Sequence, residues 1–82
     1  MSDKNIDFPQ YRKLTNGLRL YKINSNNSFE ELQMMGEKVF HFTIVAHQYP
    51  EKLRIMDMLN LTEGFDLLSK TEWDQPFNKL SK

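Results

Sequence analysis

The apolar positions of the chain fall into short segments whose period changes along its length. Two β-compatible runs, residues 8–15 and 18–24, flank Asn16-Gly17, the dipeptide favoured where both turn residues need positive φ. A hairpin there places Lys13 opposite Leu20 and Arg12 opposite Tyr21, with Pro9 and the charges marking the first strand as an edge. The run NNSFEELQMMG predicts a short helix, because Ser28 and Glu31 have capping-box spacing, Gly36 suits a helix C-terminus, and Phe29, Leu32 and Met35 recur at helical spacing. KVFHFTIVAH alternates as a strand does, with Phe40, Phe42, Ile44 and Ala46 toward the core and Val39, His41, Thr43, Val45 and His47 on the other face.

A second helix is predicted over YPEKLRIMDMLN, with Pro50 at its start and Leu53, Met56 and Leu59 at helical spacing. FDLLS reads as a short strand. The last helix starts from a Ser69–Glu72 capping box with Leu68 and Trp73 as its hydrophobic staple, and Pro76 predicts a kink or restart within it. The expected fold is α+β in the order β-β-α-β-α-β-α: a small mixed four-stranded sheet with helices packed mainly on one face. Residues 1–7 are expected to be a disordered tail and residues 8–82 a single domain.

Composition narrows the chemistry. The 82 residues contain no cysteine, which excludes disulfides, thiolate metal sites and cysteine nucleophiles. No basic, apolar and small-residue series opens the chain, and no apolar run approaches the ~20 residues that span a bilayer, so a soluble cytoplasmic protein without membrane contact is expected. Formal net charge is zero, with an excess of basic residues before residue 25 balanced by an acidic remainder.

Both histidines lie in the alternating strand, and the six residue steps from His41 to His47 would separate them by ~20 Å, too far to share one metal ion. No nucleophile is paired with a base, no paired carboxylates suggest acid–base chemistry, and the three glycines stand at turns rather than in a phosphate-binding loop. The chain therefore reads as non-enzymatic, with no metal and no cofactor. Two surfaces suggest binding instead. Arg12, Arg19, Tyr21 and His41 would share an open sheet face, a basic and aromatic mixture that suits single-stranded nucleic acid, although the neutral net charge lacks the usual electrostatic footprint of such binders. With one face of each helix buried, Met34 or Met58 would remain exposed, where adaptable methionines suit a protein partner or a homodimer.

The segments SFEELQMMGEKVFHFTIVAHQYPEKLRIMDML and GFDLLSKTEWDQPFNKL together resemble a family of small bacterial proteins of about this length whose function is uncharacterised. The resemblance spans most of the chain and implies a shared fold rather than an activity. Some such sequences carry a peptide methionine sulfoxide reductase label. That chemistry requires a catalytic cysteine, which this chain lacks. The expected function is a small protein-interaction or self-associating module, with weak nucleic-acid binding through the basic hairpin face as the alternative.

Overall fold

The computed structural model describes residues 7–62 and 64–80. The tail expected over residues 1–7 falls almost wholly outside them. The chain forms a small α+β domain: β1 (Gln10–Leu14), β2 (Arg19–Ser25), β3 (Ser28–Met35), β4 (Lys38–Val45), α1 (Tyr49–Leu59), β5 (Phe65–Leu67) and α2 (Lys70–Phe77). The five strands make one sheet in the order β4-β3-β2-β1-β5, and every neighbouring pair is antiparallel.

The first hairpin has the register expected from Asn16-Gly17, with Lys13 opposite Leu20 and Arg12 opposite Tyr21. Gly17 takes φ 78° and its N–H donates to the Leu14 carbonyl, a left-handed conformation that glycine adopts without a Cβ penalty. β1 is not an edge, however. β5 pairs along its other side, Arg12 opposite Leu67 and Leu14 opposite Phe65.

The main departure is residues 28–35, a strand rather than a helix. Ser28 bonds the Ser25 hydroxyl, and Glu31 receives Arg19 and Gln33, so the two residues do not form a capping box. Gly36 at φ 65° leads the short turn between Met35 and Lys38, joining β3 to β4 in a long hairpin. Spacing of three among Phe29, Leu32 and Met35 mimics a helix. A strand buried on both faces also loses its clean alternation, so its pattern does not separate the two cases.

The second departure is the placement of the helices. They cover opposite faces of the sheet, which is therefore the middle of three layers. On one face α1 packs Ile55 and Met58 against Tyr21, Ile23, Phe29 and Ala46. On the other, α2 packs Trp73 against Leu20, Leu32 and Leu68, with Tyr11 and Met34 beside them. Adjacent residues Leu20 and Tyr21 enter different cores, as the period of two requires.

Both helices start where expected. Gln48 and Glu51 cap α1, with Pro50 in its first turn; Ser69 and Glu72 cap α2, and Leu68 joins Trp73 beneath it. The buried stripe of α1 is Ile55 and Met58, whereas Leu53 and Met56 face outward. α2 continues through Pro76 and ends one residue later at Phe77, with no restart after the proline.

The rotation of α1 gives a direct contrast. Ile55→Ala should destabilise the domain by about 2–5 kcal/mol, because a fully buried side chain leaves a cavity. Met56→Ala should stay within about 0.5 kcal/mol, as exposed substitutions do. Urea midpoints of the two variants measure the difference.

Candidate functional site

The sheet alternation decides which of the candidate residues can act together. Arg12, Arg19 and Tyr21 share a face, but it is the face covered by α1, not an open one. Arg12 is only 7% exposed and Tyr21 only 2%. The Arg12 guanidinium donates from Nε to the Met58 carbonyl at 2.8 Å, and from Nη1 to the Tyr11 carbonyl at 2.7 Å and to Gln10 Oε1 at 3.3 Å. It thus ties β1 to the last turn of α1, where the helix carries its partial negative charge. Burial lowers the pKa of this guanidinium from its ordinary value. Tyr21 lies between Phe29 and Phe65 with both ring pairs edge-on, and burial together with the nearby Glu31 carboxylate raises its phenol pKa. Arg19 lies nearer the surface, 3.5 Å from the buried Glu31 carboxylate.

His41 points to the opposite face. It lies opposite Leu32 and bonds Glu30 at 2.7 Å, with Phe77 of α2 edge-on at 5.4 Å. His47 follows the end of β4 and its backbone N–H donates to Glu51. The two histidines therefore serve separate local networks. Among the described residues no group of three His, Asp or Glu side chains is placed to hold a metal ion.

The two methionines also separate. Met58 is fully buried in the α1 core. Met34 belongs to the α2 side, where with Leu20, Leu68, Lys13 and Glu72 it lines an open recess of about 320 Å³. Lys13 and Glu72 approach to 4.0 Å at that recess. The six residues Arg12, Arg19, Tyr21, His41, Met34 and Met58 thus form no common surface, because they divide between two faces and three of them are buried.

A different surface is exposed. β4 is an edge of the sheet, and it is long, regular and free of proline. Phe40 is 42% exposed and Phe42 45% exposed on the α1 face with the exposed Met35 beside them, and Val45 is exposed on the other face. Phe40 and Phe42 were expected to face the core. They point to the α1 side as their alternation with Ile44 requires, but α1 does not reach them.

The backbone of this edge can be assigned group by group. The Ala46 N–H donates inward to the Asn27 carbonyl at 2.7 Å. Because successive residues of a strand direct their peptide groups to alternate sides, Phe40, Phe42 and Ile44 bond toward β3. Val39, His41, Thr43 and Val45 then direct their N–H groups outward. The opposite edge differs: β5 has three residues and carries Asp66. Short length and charge are ordinary protections of an edge strand, and β4 has neither along its centre.

The comparisons with known proteins add no relative. No protein-family profile matches the chain, and neither the curated proteins nor the solved structures contain a match. No helix among the described residues is long and apolar enough to cross a membrane.

The Glu30 network beside this edge gives a pH prediction. Burial would raise the Glu30 pKa, but hydrogen bonds from Asn24 and His41, with the charge of Lys22, outweigh it and hold the carboxyl below its ordinary value. Between the unfolded value of about 4.3 and the lower folded value, the unfolded chain binds more protons. The stabilisation is therefore complete above the unfolded value and disappears as pH falls through the folded one. Glu30→Gln should lower stability at neutral pH and flatten the loss that sets in as pH falls below the ordinary carboxylate range, measured as urea midpoints at neutral and acid pH.

Proposed function

We infer that this protein is a small non-enzymatic interaction module whose working surface is the β4 edge. One observation carries the reading. The two edges of the sheet are treated differently: β5 is short and charged, whereas β4 presents eight regular residues with two half-exposed phenylalanines. An unpaired strand of this kind binds by strand addition, in which outward N–H and C=O groups supply affinity and alternate side chains supply selectivity. Val39, His41, Thr43 and Val45 would provide the backbone groups, and Phe40 and Phe42 the apolar contact. An exposed flat strand with aromatic side chains is otherwise an aggregation hazard, and cover by a partner removes it. Arg12 and Tyr21 act on this reading as supports of the fold rather than as contacts with nucleic acid.

Site-specific photocross-linking in the cells that make the protein tests this assignment. The substitution Phe42→p-benzoylphenylalanine should give a discrete cross-linked product, and the same substitution at the exposed Leu67 of β5 should not. No product from position 42, or equal products from both positions, would contradict the reading.

A further inference from the structure

We propose that the occupant of the β4 edge is a second copy of this chain, paired antiparallel about a two-fold axis through Phe42, so that two sheets become one. The proposal rests on the reading of β4 as the working edge and adds the partner and the register.

Symmetry limits the choices. A two-fold axis perpendicular to the sheet keeps like faces together, so residues of the same parity lie opposite each other. The hydrogen bonds must come from the outward set Val39, His41, Thr43 and Val45. Centring the axis on Phe42 matches every member of that set with another member: His41 opposite Thr43 of the second copy, and Val39 opposite Val45. Centring it on His41 leaves Val45 opposite Glu37, in the β3–β4 turn, and centring it on Thr43 leaves Val39 opposite His47, beyond the strand. The Val45 carbonyl already accepts the His47 N–H at 3.1 Å, so at the ends of the pairing it is the Val45 N–H that donates to Val39.

The side chains agree with the same register. On the α1 face Phe42 meets Phe42 of the second copy in a non-hydrogen-bonded pair, the closer of the two antiparallel pair types. Phe40 falls opposite Ile44, and Val39 meets Val45 on the other face. These are aromatic and β-branched pairings, and no like charges are opposed.

The charges at the ends are complementary. Lys38 shares the α1 face with Phe40 and Phe42 and falls opposite Ala46 of the second copy. Glu51, on α1 at that same end, holds its carboxylate against the N–H groups of His47 and Gln48, at 3.2 and 3.4 Å. The two-fold axis thus places each Lys38 near the Glu51 of the other copy. An unrelated apolar segment could add to the edge, but it would not supply this charge at both ends by symmetry. Pairing through one strand makes a small interface, below the ~1,600 Å² of a standard one, so the dimer should dissociate reversibly in the micromolar range.

Sedimentation equilibrium of the full chain from about 10 µM to about 1 mM tests the association. A reversible monomer–dimer equilibrium is expected, and Phe42→Lys should weaken it about tenfold or more while leaving the circular dichroism spectrum unchanged. Strictly monomeric protein at about 1 mM would overturn the second copy as occupant. The register has its own test, made clean by the absence of native cysteine. Under mild oxidation Phe42→Cys should form a covalent dimer about tenfold or more faster than Phe40→Cys or Thr43→Cys, because only residues on the axis come within the ~7 Å Cα separation a disulfide allows. Equal or faster cross-linking by either of the other two would overturn the register. A monomeric protein that still gives a cross-linked product of another mass from position 42 in cells would remove the dimer and keep the β4 reading. Loss of that product would remove both.

Discussion

The organisation of the domain follows from the burial of β2 and β3 on both faces. Leu20 and Tyr21 are neighbours in sequence and lie in different cores, and Phe29 and Leu32 divide the same way. A strand with large apolar side chains on both faces needs cover from both sides. The two helices therefore cannot share a face, and each is held by its own anchor: Ile55 and Met58 on one side, Trp73 on the other.

That constraint also explains the exposed surface. α1 starts just beyond β4, at one edge of the sheet, and its last turn is bonded to Arg12 on β1, next to the other edge. The route from β4 to β5 thus requires α1 to cross the sheet. Four strand spacings measure about 19 Å, and an eleven-residue helix measures about 16 Å. A helix used for that crossing covers Tyr21, Ile23, Phe29 and Ala46 along its path and has no length left for Phe40 and Phe42. Their exposure is a consequence of the topology. The second helix lies on the other face, over β2 and β4, and brings Phe77 to His41 without reaching either phenylalanine.

Local signals were legible in the sequence and long-range ones were not. Asn16-Gly17 gave the register of the first hairpin, Pro50 and the Ser69–Glu72 box marked the helix starts, and the alternation of KVFHFTIVAH sorted residues 39–45 into two faces, although Phe40 and Phe42 are half-exposed rather than in the core. β3 was misread because Phe29, Leu32 and Met35 satisfy a helical spacing while the chain buries Phe29 and Leu32 on opposite faces. Gly36-Glu37, a two-residue link between segments of equal length, was the available signal for a hairpin there. The pairing of β5 with β1 could not be read locally, and the candidate surface depended on it. With β1 taken as an edge and the helices on one side, Arg12 and Tyr21 appear exposed; with both edges assigned, the open strand is β4.

Amide hydrogen exchange along β4, recorded at low and high protein concentration, is the most direct measurement of the central claim that this strand is the open edge and the interaction surface. In dilute protein the N–H groups of Val39, His41, Thr43 and Val45 should exchange fast while those of Phe40, Phe42, Ile44 and Ala46 stay protected, and the first set should become protected as concentration rises. Protection of all eight amides in dilute protein would contradict the open edge, and fast exchange of the outward set at every concentration would contradict a second copy as its occupant.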